Sequence, residues 1–218
     1  MKRPTLILAA ALATLLGPAA SRAEMKTYAI DRAHSEVGFN IRHFYNKTHG
    51  RFEDYSGTIN FDPKNLAAST VEVTIRDSTI YTANDRRDQH LRTKDFFWVD
   101  TYPTITFKST KVIPGKTESA FQVEGNLTIR DVTKPVTLDV EYLGMGPVSI
   151  SGNSLGTQAG FYATTKVNRK DFGIVWNKTL DSGGTMLSDD VDIVLSIAAV
   201  NMEKPPAAAQ PAATTTKK

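Results

Sequence analysis

Gly152, Asn153, Ser154, Leu155 and Gly156 reproduce the GxSxG spacing of a hydrolase nucleophile elbow, in which a strand-to-helix turn presents a serine to a histidine further along the chain. Here the last histidine is His90, and the flanking residues alternate as strands, so the context an elbow needs is missing. Asp171, Phe172 and Gly173 spell the magnesium-loop triplet of kinases, with no HRD-type loop and no glycine-rich phosphate loop to accompany it. The histidines His34, His43, His49 and His90 form no pair at the helical spacing of zinc hydrolases, and the chain has no Cys. They are read as hydrogen-bonded residues at strand ends, and no metal site is expected. Asn46, Asn126 and Asn177 fall in glycosylation triplets, which matter only in a eukaryotic secretory pathway.

The densest charge lies in one stretch: Arg86, Arg87, Asp88, His90, Arg92 and Lys94. Guanidinium and imidazole groups of this kind hold a phosphate or a quinone head group. The same residues equally describe a solvated helix with Asp85 and Asp88 as partners. A third reading makes Arg87, His90 and Asp88 an acid–base set for an enzyme.

What positions such groups is a chain that alternates apolar and polar residues with period two, the pattern of strands with one buried face. Phe121, Val123, Gly125, Leu127 and Ile129 alternate with polar partners. After a turn, Val136, Leu138, Val140 and Tyr142 do the same, so the two predict a hairpin, with Pro135 at a strand start. The alternation returns at Val37–His43, Gly57–Phe61, Val71–Ile75, Ile105–Phe107, Phe161–Val167 and Val191–Ile197, giving about eight strands. Their polar outer faces argue against a membrane barrel. From Asn84 to Phe97 the pattern breaks into a charged run with an N-cap at Asn84 and acids in the first turn, which predicts the single substantial helix, closing one end. The expected fold is all-β, an antiparallel eight-stranded barrel with one capping helix; a two-sheet sandwich is the alternative.

Residues 1–23 have the plan of a signal peptide: Lys2 and Arg3, an apolar run from Leu6 to Leu16, then small residues before a cut near Ala23. That run is short of the ~20 residues that span a bilayer, so no transmembrane anchor is expected after processing. Three of the 26 basic residues lie in this segment and none of the 23 acidic ones. The formal charge of +3 therefore falls to zero once it is removed, and with it the argument for a nucleic-acid partner. Residues 203–218 are a Pro/Ala/Thr/Lys tail too poor in large apolar groups to fold. Residues 24–202 remain for one domain, without disulfides.

An eight-stranded barrel is either filled by its own side chains or left with room for one ligand. Gly57, Gly125 and Ala163 fall in phase with large inward residues. They either leave volume free or make space for facing aromatics, and the sequence leaves both open. If the bore is hollow, Phe39, Ile41, Phe61, Val73, Phe107, Val123, Leu127, Val140 and Phe161 line a lipid-tail site, with Phe172 and Trp176 near its rim, and Arg87, His90 and Arg92 face the head group.

The order of residues along the chain resembles the YceI-like family. Tyr28, Ile30, Asp31, His34, Ser35, Val37, Phe39, His43, Gly50, Phe52, Gly57 and Ile59 carry the first third. Arg87, Asp88, His90, Leu91, Asp95, Phe96 and Phe97 follow, then Tyr102, Pro103, Ile105, Phe107 and Ser109. Gly125, Leu127, Thr128, Ile129, Thr133 and Lys134, then Asn168, Arg169, Asp171, Phe172 and Gly173, then Asp190, Val191 and Ile193 complete it. Tyr28 stands where the family more often carries Trp, and Asp131 where Gly is frequent. The resemblance implies a lipocalin-like barrel, paired as a homodimer, in the periplasm or secreted. It also implies a polyisoprenoid or similar quinone-like or fatty amphiphile as ligand, no cofactor, and no shared catalytic residues. The function expected is that of a periplasmic carrier, with an enzyme acting on such lipids or a structural protein with a filled barrel as rivals.

Overall fold

The computed structural model describes residues 25–201; the expected signal segment and tail lie outside the described residues. In chain order the strands are β1 (Lys26–Ile30), β2 (Glu36–His43), β3 (Asn46–Phe52), β4 (Tyr55–Phe61), β5 (Thr70–Arg76) and β6 (Ile80–Tyr81). A helix, α1 (Asp85–Arg92), follows, and then β7 (Thr104–Pro114), β8 (Ala120–Ile129), β9 (Val132–Ile150), β10 (Asn153–Asn168) and β11 (Leu187–Asn201). The first six strands are halves of three longer staves. Both β1 and β2 pair with β11, β4 pairs with β1 and β3 with β2, and β5 and β6 pair with β4 and β3 in turn. Counted this way the staves number eight, all antiparallel in meander order. The ring closes where Ala29 and Ile30 of β1 meet Val200 and Ala199 of β11. That closure rules out the sandwich and leaves β6, which pairs with β3 alone, as an edge at the helix end.

Local chemistry sets the breaks. Between β1 and β2 a 3-10 turn, Arg32–His34, is capped by Asp31, whose carboxylate accepts from the Ala33 amide at 3.0 Å and meets His34 Nδ1 at 2.7 Å. The predicted hairpin is present as β8 and β9, with Phe121 opposite Val140 and Ile129 opposite Val132. Its pairing runs through Pro135, opposite Asn126, so Pro135 lies inside the ladder and the turn at Arg130–Asp131 starts the strand. In that turn Arg130 takes the left-handed φ of 59°. Its guanidinium donates to the Gly173 carbonyl at 3.1 Å and lies over the Trp98 and Tyr102 rings.

The helix is shorter than its charge pattern predicts. Asn84 caps it, accepting from the Arg87 amide at 3.0 Å, but it ends at Arg92. The Thr93 amide turns back to the His90 carbonyl, and Trp98 adopts a φ of 53°. This turn sends Phe96 and Phe97 inward against Ile174, Leu187 and Phe52.

The two ends of the barrel differ. At the end away from α1, Phe61, Phe121, Tyr142 and Phe161 pack ring against ring at centroid separations of 5.1–6.2 Å, forming a floor. At the other end α1 and the 94–98 turn lie over the bore. The glycine question also resolves. A Cβ on Gly125 would collide with the Phe107 ring, and one on Gly57 would come within 2.7 Å of Ile30 Cδ1. Both glycines therefore admit neighbours rather than leave gaps, whereas Ala163 faces open volume.

One buried charge stands out beside the helix end. Asp77, in the turn joining β5 to β6, is fully buried, and neither carboxylate oxygen has a hydrogen-bond partner among the described residues. Burial raises its pKa from 3.8 to about 6.

Two outcomes follow. Gly125→Ala forces the methyl into the Phe107 ring and lowers unfolding stability by about 1–3 kcal/mol, measured by urea denaturation. The second concerns pH: the folded chain keeps the Asp77 proton up to about 6 while an unfolded one releases it near 3.8, so the folded state binds more protons across that interval. This contribution to stability is present below 3.8 and is lost as pH rises to about 6. Asp77→Asn removes that decline, which is on the order of 3 kcal/mol. Parallel stability–pH curves for the two proteins would refute it.

Candidate functional site

The staves enclose a cavity of about 880 Å³ that begins above the aromatic floor and reaches the surface beside α1. Its walls are inward residues of every stave, because strand side chains alternate between faces and the apolar ones point in. Phe39, Ile41, Phe61, Val73, Phe107, Val123, Leu127, Val140 and Phe161 all line it, and Trp176 lies at its upper rim. Phe172 does not. It belongs to the 3-10 turn Arg169–Phe172 after β10, closed by Gly173 at a left-handed φ of 73°. Its ring is 2% exposed yet absent from the cavity wall, because this turn leaves the inward–outward alternation of the strand.

The charged residues of the wall gather at the helix end. Arg86, Arg87, His90 and Leu91 line the bore from one side of α1. Arg92 lies outside: two residues after His90 is more than half a turn of helix. Its guanidinium instead donates to the carbonyls of Ser78 at 2.7 Å and Ile80 at 3.1 Å, tying α1 to the β5–β6 connection. Arg92 is thus a brace, and its expected place facing the head group is corrected. Arg87 reaches the cavity while its Nε and Nη2 donate to Thr82 Oγ1 at 2.7 Å and to the Thr82 carbonyl at 2.6 Å. His90 meets Asp95 at 3.0 Å through Nε2, with its ring edge-on to Phe96 and Trp176 at 5.0 and 4.9 Å.

Two mouth residues lay outside the predicted head-group set. His43 continues the inward series Val37, Phe39, Ile41 of β2, so the period-two pattern held the signal. Its imidazole pKa is lowered first by burial and then by the positive charge of Arg87. Arg86 was visible only as one of many charges, because the helix face toward the bore is set by packing. Of the residues that line the cavity at this end, Phe44, Asn84 and Arg86 are exposed. Phe44, in the β2–β3 turn, holds a φ of 55°.

The enzymatic constellation does not assemble. Asp88 is buried and accepts from the Thr82 amide at 3.0 Å and from its hydroxyl, whereas His90 is paired with Asp95. Ser154 begins β10 on the ribbon beyond the floor, its Oγ accepting from the Gly156 amide at 3.2 Å. His43 and His90 lie at the opposite end. Arg169, though it touches the cavity, is occupied by the carbonyls of Ile174, Trp176 and Ser188 and by Asp189, and so fixes the loop that carries Trp176.

Known proteins share this architecture. The YceI-like domain matches residues 28–199. Protein YceI of Shigella flexneri is 40% identical over 179 residues, covering 81% of this chain and 87% of its own. A UPF0312 protein of Enterobacter sp. (strain 638) is 38% identical over 200 residues, 90% of this chain and 97% of its own. Among solved structures, the Campylobacter jejuni YceI protein superposes with a TM-score of 0.61 at 33% identity, covering 79% of this chain and 96% of that one. BcnA of Burkholderia cenocepacia gives 0.68 at 24% identity over 78% and 99%. A polyisoprenoid binding domain from Saccharophagus degradans gives 0.55 at 14% identity over 81% and 99%, a likeness of fold. With the domain matched over residues 28–199 and relatives 38–40% identical across most of the chain, the chain belongs to the YceI-like family.

Proposed function

We propose that the protein is a carrier for a long-chain amphiphile of isoprenoid type, holding the tail in the bore and the head group at the α1 mouth. The observation that carries this reading is the largely apolar cavity of about 880 Å³, closed at one end by aromatic rings and lined by charged side chains only at the other. At the ~30 Å³ that a water molecule occupies in the liquid, such a volume holds roughly thirty non-hydrogen atoms, about six isoprene units. Burial contributes ~0.8 kcal/mol per methylene, and association costs ~4–15 kcal/mol. The balance turns favourable after roughly five to twenty methylenes, so affinity needs no reactive group.

The fold shared with a protein described as a polyisoprenoid binding domain supports the ligand class. In this reading Phe39, Ile41, Phe61, Val73, Phe107, Val123, Leu127, Val140, Phe161 and Trp176 contact the tail, while Arg87 and His90 stand at the head. Export to the periplasm, from the signal-peptide pattern of residues 1–23, and pairing as a homodimer complete the proposal.

Protein purified from its native host should release a stoichiometric long-chain amphiphile into organic solvent, identified by mass spectrometry. Repeated extracts with none would overturn the reading. Ala163→Trp places an indole in the bore, and the longest chain retained should shorten while the thermal unfolding midpoint stays within a few degrees.

A further inference from the structure

Resting on the lipid-carrier reading, we propose that the mouth takes an acidic head group, a carboxylate or a phosphate monoester, between Arg86, Arg87 and His43. The protein therefore sorts long-chain acids from neutral amphiphiles of equal length.

The charge on the cavity wall is one-sided. Three arginines and two histidines line it, and no aspartate, glutamate or lysine does. Two of these five are already engaged: Arg169 is saturated by carbonyls and Asp189, and His90 is paired with Asp95. The other three have donors to spare. Arg87 commits Nε and Nη2 to Thr82 and leaves Nη1 without an acceptor. Arg86 is the one arginine among the described residues whose guanidinium meets neither a carboxylate nor a carbonyl; the rest each have one or the other, or, for Arg87, Thr82. The His43 ring nitrogens have no hydrogen-bond partner among the described residues; the ring's neighbour is Phe44, at 4.3 Å.

A neutral head group would leave these positive groups uncompensated at the end of a low-dielectric bore. An oxyanion answers them with charge-assisted hydrogen bonds, which guanidinium groups form in pairs. His43 adds a proton linkage. Arg87, from α1, is the charged group whose field reaches it, and its strand partners Leu187 on β11 and Asn46 on β3 are uncharged. Burial and Arg87 together favour the neutral imidazole. An anion seated between them reverses that preference, so binding of an acid takes up a proton.

The test is calorimetric titration of the delipidated full chain with geranylgeranoic acid, geranylgeranyl phosphate and geranylgeraniol. At least one acidic ligand should bind about tenfold or more tightly than the alcohol, the worth of a hydrogen bond to a charged group. Which of the two binds better separates a carboxylate source from a phosphate one. Arg86→Gln combined with His43→Gln should erase the acid's advantage over the alcohol, read as the ratio of the two affinities, and a cooperative thermal unfolding transition close to that of the natural chain shows that the variant folds. In buffers of different ionisation enthalpy near pH ~7, within the range where histidine titrates, the natural chain should show net proton uptake with the acid, and His43→Gln should lose it. Equal binding of all three ligands would sink the head-group assignment and spare the carrier reading. Binding of none would sink both.

Discussion

A sheet of eight staves closes into a ring whose width is set by strand number and stagger, not by the side chains inside it. Everything else in this molecule depends on that mismatch. Because β1 finds β11, the backbone groups that an open sheet would leave at two bare edges are paired instead. The interior keeps its diameter even where its residues are too small to fill it. Ala163 and the slender Val123, Val140 and Thr165, on the neighbouring strands β8, β9 and β10, all line that open volume. Collapse would remove that volume only by breaking the ladder, and each buried amide left unpaired is costly.

The two ends of the bore convert this hollow into something directional. At the floor, four aromatic rings interlock, and Phe61 at their centre is 2% exposed, so the bore is closed at this end. At the mouth, charged groups fasten the frame: Arg92 on two carbonyls and Asp88 on Thr82 hold α1, and Arg169 holds the loop of Trp176. Their saturation is what makes the unsaturated Arg86, Arg87 and His43 informative. Charged groups divide here by whether the protein already answers them.

The strands and their inward residues were legible in the sequence because a strand's side chains obey a fixed period of two, which long-range pairing does not alter. Phe39, Ile41, Phe107, Val123 and Val140 point inward on that ground alone. The rule fails where the backbone leaves the strand. Phe172 follows β10 in sequence, but a 3-10 turn takes it off the strand and away from the wall. Arg92 shares a helix with His90 but not its face. The helix itself ends five residues before its charge pattern predicts, since Phe96 and Phe97 are drawn into the core.

By itself the sequence determined the class of fold, the eight staves, the capping helix at Asn84 and the greasy inner surface, all of which follow from local periodicity and capping. Whether Gly125 left a gap or admitted Phe107 was beyond it, as was the choice between a filled and a hollow barrel. Those are questions of distance between residues on different strands. Only closure of the ring fixes such distances, because the radius belongs to the whole sheet and to no segment of it.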